Sequence, residues 1–349
     1  MLNWFDRHGR TDLPWQKRVS PYRVWVSEIM LQQTQVATAI PYYKKFLHRF
    51  PNLKSLASAD LDEVLAHWSG LGYYARARNL HKAAQQIVAH HKGRFPQDIE
   101  IVTGLPGIGR STAGAILAFS FGQRHPILDG NVKRVLARVI ALEHWPGSRS
   151  GATELWQWAE KLTPRSHIEN YTQAIMDLGA TVCTRSKPGC SHCPLTRMCR
   201  AFLENRVDTL PVPKPKTVKP VRDATLLMIV NENGEVLLSQ RPPTGIWGGL
   251  WSFPQIDGAN KPSELVNWAS THLGLRIKAL GRWPTFAHQF SHYTLQITPL
   301  PAKLLGGNSA IMEAGATVWY NPNSTRDRGF AQPVERLLNE LRNQSWQEW

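Results

Sequence analysis

Acidic residues are in short supply in this sequence: 26 Asp and Glu stand against 41 Lys and Arg over 349 residues, a formal net charge of +15. That imbalance is the electrostatic footprint of a chain that meets a polyanion, nucleic acid first. Long apolar runs are missing too. None approaches the roughly 20 residues that cross a bilayer, which excludes a transmembrane helix, and the opening "MLNWFDRHGR" has no apolar signal-peptide core. The expectation is a soluble, intracellular protein. Cysteine is absent outside one stretch: Cys183, Cys190, Cys193 and Cys199 are the only four, all within "CTRSKPGCSHCPLTRMC". Cysteines scattered through a core are thereby excluded, and thiolate ligation is indicated. The spacing leaves zinc, an iron–sulfur cluster and two disulfides open, although a reducing cytosol disfavours the last. Arg185, Lys187, Arg197 and Arg200 make the same loop a basic surface.

What is present begins with "LPGIGRSTAGAILAF" at residues 105 to 119. Gly107 and Gly109 mark a tight turn, and Ala113, Ile116, Leu117 and Phe119 share one face of a helix that follows, with Ser111 or Thr112 available as its cap. A glycine turn at a helix N-terminus suits a phosphate. The Lys-Ser or Lys-Thr pair of a Walker loop is absent, as is the strand that precedes a dinucleotide fingerprint, and the same pair of glycines also serves an ordinary turn between helices.

Two acids and a pair of tyrosines stand out. In "PYRVWVSEIMLQQTQVATAI", Val24, Trp25, Ile29 and Val36 predict one helix carrying Glu28 beside Gln32 and Gln33. Burial there would raise the carboxyl's pKa and keep a proton available for general-acid work, whereas a solvated helix face would leave an ordinary Glu. In "PILDGNVKRVLARVIAL", Asp129 precedes a helix with Val132, Val135, Leu136 and Val139 on one face, the position of an N-cap. "GLGYYARARNLHKAA" sets Tyr73 and Tyr74 beside Arg76 and Arg78: aromatics that can wedge between bases next to cations that hold phosphates, or two core tyrosines at a helix start.

At 42% hydrophobic the chain can bury more than one core. Residues 206 to 222, "RVDTLPVPKPKTVKPVR", hold four prolines and no helical period, which predicts an extended linker between a mostly helical region, 1–205, and a different one, 223–349. The second region opens with "ATLLMIVNENGEVLLSQR", a hairpin turning at Asn233-Gly234.

The stretches "SEIMLQQTQV", "GLGYYARARNL", "LPGIGRSTAGAI", "LDGNVKRVLAR" and "MDLGATVCTRSKPGCSHCPLTRMC" closely resemble the helix-hairpin-helix DNA glycosylases of the endonuclease III superfamily, and within it the branch that removes adenine mispaired with 8-oxoguanine or guanine. The resemblance runs from Leu13-Pro14-Trp15 into the C-terminal region. It implies an all-α glycosylase region that grips the DNA backbone through the turn at Gly107, Ile108 and Gly109. It implies a [4Fe–4S] cluster on Cys183, Cys190, Cys193 and Cys199, with six, two and five residues between ligands, and zinc becomes the minor alternative. Glu28 matches the catalytic acid, Asp129 the carboxylate that steadies the developing sugar cation, and Gln33 and Tyr73 match residues inserted into the base stack. Trp15, Leu31 and Gln173 are candidates for the base pocket. Bifunctional relatives carry a Lys at the place of Ser111, whose amine forms an imine with the sugar. A hydroxyl cannot, so the expectation is a monofunctional glycosylase in which Ser111 tunes the site by hydrogen bonding.

Through "GIWGGLWSFP" to a helix ending "ASTHLGL", the C-terminal region resembles a Nudix domain of α+β type. The carboxylates expected just before the final Gly-Leu are replaced by Asn267-Trp268 and Thr271-His272, so Mg²⁺ binding and nucleotide hydrolysis are not expected. The resemblance makes this a recognition domain whose loop Phe290-Ser291-His292 reads the 8-oxoguanine partner. The whole reading is a multidomain base excision repair enzyme: a monomer of the bacterial cytoplasm, nucleoid-associated, acting on duplex DNA and not on a membrane. The resemblance also implies several residues ahead of the point matching Met1, so the expectation is either a truncated first helix or a start assigned at the wrong place. A bifunctional pyrimidine-lesion glycosylase/lyase would need the missing Lys and not the C-terminal domain, and a non-catalytic damage-binding protein would tolerate loss of Glu28 and Asp129.

Overall fold

The computed structural model describes residues 1–215, 218–258, 261–307, 317–324 and 328–343. In chain order its helices are α1 (Leu2–His8), α2 (Pro21–Leu31), α3 (Val36–Arg49), α4 (Leu53–Ala57), α5 (Leu61–Trp68), α6 (Ala75–His90), α7 (Ile99–Gly104), α8 (Arg110–Phe121), α9 (Gly130–Val139), α10 (Arg149–Leu162), α11 (Ile168–Asp177) and α12 (Arg200–Leu203), followed among the strands by α13 (Pro262–Leu273) and α14 (Gln332–Arg342). The chain divides into two compact units, Met1–Ser58 with Asn79–Lys216, and Ala59–Arg78 with Thr217–Trp349. No helix among the described residues is long and apolar enough to cross a membrane.

In the first unit the helix boundaries follow local chemistry. Pro21 starts α2, and the Ser20 hydroxyl caps it by accepting the Arg23 N–H. The helix ends at Leu31, because Gln33 adopts φ 56°, a left-handed conformation no helix interior tolerates. Val36 therefore opens α3 instead of extending α2: the apolar spacing ran on across a break that spacing cannot register. Asp129 caps α9 as expected, its Oδ1 accepting the Val132 N–H at 2.7 Å. The cap of α8 is Gly109, not Ser111 or Thr112, and no side chain bonds to it. Around α9, Ile127, Leu128, Val135 and Leu136 pack against Leu155 and Ala159 of α10 and Ile175 and Leu178 at the end of α11. Each such side chain contributes about 1.5–3 kcal/mol by leaving water. A π-helical turn, Leu178–Val182, then delivers Cys183.

The expected linker is not wholly extended. Leu210 is buried beside Ala141 and Ala201, and its carbonyl accepts from Arg138 Nε at 2.9 Å, while Val221 and Arg222 already lie in a strand. The apolar Val207, Leu210 and Val212 explain the packing; residues 216 and 217 lie outside the described residues.

The second unit is built on one sheet. Its strands are β1 (Val221–Val230), β2 (Val236–Gln240), β3 (Trp251–Ser252), β4 (Gln255–Asp257), β5 (Leu275–Ala279), β6 (Phe286–Gln289), β7 (Thr294–Gly307) and β8 (Thr317–Tyr320). The path β3-β2-β1-β7-β5 has β1 and β7 parallel at its centre, in register from Val221 opposite Thr294 to Val230 opposite Lys303. Leu265 and Ala269 of α13 cover it over Leu227, Ile229, Ile277 and Leu300. The hairpin between β1 and β2 turns with Gly234 left-handed at φ 75°. Ala59–Arg78 joins this unit by polar ties: Asp62 accepts from Trp251 Nε1 at 2.9 Å and Gln240 Nε2 at 2.8 Å, and the Tyr74 hydroxyl donates to the Phe330 carbonyl at 2.7 Å. Composition had placed these residues with 1–205; their partners lie too far along the chain for composition to reveal.

Candidate active site

The turn between α7 and α8 shows why its two glycines differ. Gly107 sits at φ 78°, and a Cβ there would stand 2.8 Å from Asn79 Cβ. Gly109 is extended, and a Cβ on it would meet nothing within 4 Å, so its face is open. Ile108 between them is buried and anchors the turn. The first N–H groups of α8 have no intrahelical acceptor and no side-chain cap, which leaves a cluster of donors at the positive end of a helix.

Behind that turn, the strand-like stretch before Asp129 lies hard against α8: a Cβ on Gly114 would come within 2.8 Å of the Pro126 carbonyl. The Ser111 hydroxyl accepts the Leu128 N–H at 2.9 Å and so holds the backbone next to Asp129. Gln32 Nε2 donates to Thr112 Oγ1 at 3.3 Å and ties the end of α2 to the same helix. Burial raises the Asp129 carboxyl above its ordinary range, opposed by its bonds from backbone N–H groups. Glu28, on α2, has its carboxyl pushed up to about 8, first by enclosure in protein and then by the negative charge of Asp129.

Glu28 faces a cavity of about 240 Å³ that is also lined by Trp15, Gln16, Ser27, Phe119 and Gln173. Leu31 is not on this wall; it is the half-buried last residue of α2. Sequence reasoning missed Gln16, which donates from Nε2 to Gln173 Oε1 at 3.2 Å, and the Arg10–Asp177 pair behind Gln173, closed at 2.6 Å. The residues of that pair are 167 positions apart, and no local pattern announces them.

A second, small cavity of about 20 Å³ is lined by Cys183, Cys190, Cys193 and Cys199 with Val182, Phe202 and Val207. Among the described residues no group of three His, Cys, Asp or Glu side chains is placed to hold a metal ion, while all four thiols line this one cavity. Burial pushes the Cys190, Cys193 and Cys199 thiols up. Against this, Arg138 approaches Cys183 Sγ through Nη1 at 3.3 Å, and Arg134 Nε donates to the Cys183 carbonyl at 2.7 Å. Soft sulfur donors with neighbouring cations and an otherwise apolar wall fit an anionic iron–sulfur group. Arg185, Lys187 and Arg197 are exposed around it, and Arg200 pairs with Glu204 at 3.0 Å.

The expected DNA-inserting residues share a backbone signature. Gln33 at φ 56° and Tyr73 at φ 49° are both exposed and left-handed, a strained state that folds tolerate at functional loops. The two tyrosines divide: Tyr73 is exposed and Tyr74 buried. Arg76 and Arg78 do not stand free for phosphates as expected, since Arg76 Nη2 donates to the Leu71 and Gly72 carbonyls and Arg78 Nη1 to the Gly248 carbonyl. In the second unit, Phe290, Ser291 and His292 form the turn from β6 to β7, closed by the Phe290 N–H to the Tyr293 carbonyl at 2.9 Å. The Phe290 ring is held against Trp247 and Tyr293, while Ser291 and His292 are exposed. On α13, the Thr271 hydroxyl donates to the Asn267 carbonyl and His272 stacks on Trp268 at 4.8 Å.

Residues 26–161 match the HhH-GPD superfamily of base excision DNA repair proteins, and residues 225–340 match the NUDIX domain. The helical region is similar to a thermostable thymine-DNA glycosylase of known structure, 25% identical with a TM-score of 0.53 over 58% of this chain and 93% of that one. It shares its fold with an endonuclease III in a non-covalent DNA complex, 22% identical with a TM-score of 0.50 over 58% of this chain and 92% of that one. Hairpin, acid-bearing cavity and sheet domain thus define a base excision repair protein with an appended NUDIX domain. The adenine DNA glycosylase of Buchnera aphidicola subsp. Acyrthosiphon pisum is 40% identical over 98% of this chain and 96% of its own length, and that of Rattus norvegicus 34% identical over 97% and 76%. The chain belongs to the adenine DNA glycosylase family.

Proposed function

We propose that this chain is a monofunctional glycosylase that hydrolyses the N-glycosidic bond of adenine opposite 8-oxoguanine or guanine in duplex DNA. The observation that carries the reading is Glu28, a carboxyl that keeps its proton to about pH 8 on the wall of a cavity. The bond cannot be reached in a duplex, so the adenine must leave the stack, at a cost of a few kcal/mol that is least at a mispair. Gln33 and Tyr73 fill the gap, and the amides of Gly107 and Gly109 hold the phosphates, while the Ile108 N–H, bonded to the Leu105 carbonyl at 3.1 Å, keeps the turn closed. Adenine is a poor leaving anion. Glu28 gives its proton to adenine N7, and the C1′–N bond breaks with its electron pair leaving on the base. The Asp129 carboxylate faces the cationic sugar that forms and stabilises it electrostatically. Water then adds to C1′, and the proton it releases restores Glu28. Ser111 offers no amine for an imine, so the product is an intact abasic site.

Cys183, Cys190, Cys193 and Cys199 would hold a [4Fe–4S] cluster as thiolates, and the cluster would crosslink the 183–199 loop; Arg134 and Arg138 would offset its negative charge. The NUDIX region reads the base opposite adenine through Phe290, Ser291 and His292. The protein acts as a monomer. Single-turnover cleavage of a duplex with adenine opposite 8-oxoguanine tests the chemistry. Strands should break only after alkali, and Glu28→Gln should lower the rate by about three orders of magnitude. Strand breakage without alkali would reveal a lyase amine and overturn the monofunctional reading.

A further inference from the structure

Two glutamines on the cavity wall have partners that leave each amide a single orientation. The buried Asp177 carboxylate takes the Arg10 backbone N–H on Oδ2 at 2.7 Å, and Arg10 Nε and Nη2 on Oδ1 at 2.9 and 2.6 Å. Gln173 Nε2 donates to the same Oδ1 at 2.8 Å. A carboxylate paired with a guanidinium only accepts, so the nitrogen of Gln173 must face Asp177 and its oxygen must face away. That oxygen accepts from Gln16 Nε2 at 3.2 Å. Gln16 is fixed from its own side, with Nε2 donating to the Arg10 carbonyl and Oε1 accepting the Leu13 N–H, both at 2.9 Å. A carbonyl cannot donate and an N–H cannot accept, so flipping either amide sets donor against donor.

We infer that Asp177 is a positioning residue: with Arg10 it locks Gln173 so that the cavity wall offers an acceptor, which selects a base bearing an exocyclic amine over one bearing a carbonyl at the same ring position. The inference rests on the adenine-excision reading. A carbonyl oxygen has two lone pairs; Gln16 occupies one, and the other remains on a side chain that lines the cavity. The 6-amine of adenine can donate to it. The 6-oxo group of hypoxanthine, otherwise nearly the same in shape, sets lone pair against lone pair and is rejected. Asp177 itself lies behind Gln173 and takes no part in proton transfer.

The test compares single-turnover release of adenine and of hypoxanthine, each opposite 8-oxoguanine, by the full chain and by Asp177→Asn, Arg10→Gln and Arg10→Lys, with melting temperatures for each. In Asp177→Asn the new NH₂ must face donors on Arg10 or Gln173, which breaks the chain of orientations. The adenine-to-hypoxanthine rate ratio should fall by about tenfold or more in Asp177→Asn and in Arg10→Gln. Arg10→Lys, which keeps a cation, should retain most of the preference, and the high-pH limb of the rate should stay where the parent chain has it. If both rates fall by one factor, Asp177 is merely structural and the inference is overturned. Should Asp177→Asn fail to fold, Arg10→Gln decides in the same way, since its side chain is 28% exposed and tolerates change. No adenine release by the unmodified chain would overturn the function reading itself; release with an unchanged ratio in the variants overturns only the positioning.

Discussion

The helical unit holds two cavities lined by acids, and they ask opposite things of a proton. Around Glu28, enclosure and the charge of Asp129 keep a carboxyl protonated near neutrality, and among the described residues no cation is bonded to it to reverse the effect. Around the cysteines burial also raises the Cys190, Cys193 and Cys199 thiols, but Arg138 reaches Cys183 Sγ and Arg134 the Cys183 carbonyl. One wall conserves a proton for transfer to a leaving group; the other holds thiols whose protons only a soft metal would displace, with guanidinium groups beside them to offset the thiolate charge that would result. The difference lies in where the guanidinium groups point.

The largest effect should come from breaking the second cavity. Cys193→Ser replaces a soft ligand by a hard one, and the chain should lose its iron and more than about 4 kcal/mol of stability, the range of metal-site losses. Iron content and thermal unfolding measure both. A purified parent chain holding one zinc and no iron would remove the cluster from the comparison.

The first cavity predicts a pH signature. A general acid must be protonated, so the excision rate should fall about tenfold per unit above about pH 8, and it should fall again on the acid side where the raised Asp129 carboxyl takes up its proton. Stability moves the same way: a carboxyl raised from 4.5 to about 8 in the folded state contributes stability that is fully present below pH 4.5 and lost as pH rises through 8. Glu28→Gln should therefore be more stable than the parent at pH 7 by about 3 kcal/mol, at 1.36 kcal/mol per unit, while nearly inactive. A variant no more stable at pH 7 than at pH 4, relative to the parent, would show that Glu28 titrates normally.

The sequence carried those parts of the site that depend on short-range pattern. Asp129 before an amphipathic helix is read correctly as a cap because capping is local, and the cysteines are adjacent enough to point to one another. The hairpin glycines are visible, but the cap at Gly109 instead of Ser111 or Thr112 is not, since all three residues can start a helix. The break at Gln32–Gln35 is hidden because Val36 falls in phase with Ile29. Arg76 and Arg78 look like phosphate-binding cations until backbone carbonyls claim them. The Arg10–Asp177–Gln173–Gln16 chain lay beyond reach, as each of its links joins distant segments or depends on one that does.

Ser111 gives the finest test of how Asp129, whose charge acts on Glu28, is held in place. Its hydroxyl accepts the N–H of Leu128, a residue 3% exposed, one position ahead of Asp129. Ser111→Ala leaves that donor unpaired at a cost of about 1–3 kcal/mol, and the loosened backbone lets Asp129 drift from the sugar. The rate should fall by about tenfold with its pH limb unmoved, because Glu28 is untouched. Ser111→Thr supplies a hydroxyl again and should recover most of both losses. If Ala lowers stability but leaves the rate as it was, the Val132 cap alone holds Asp129 in place, and Ser111 serves the fold and not the chemistry.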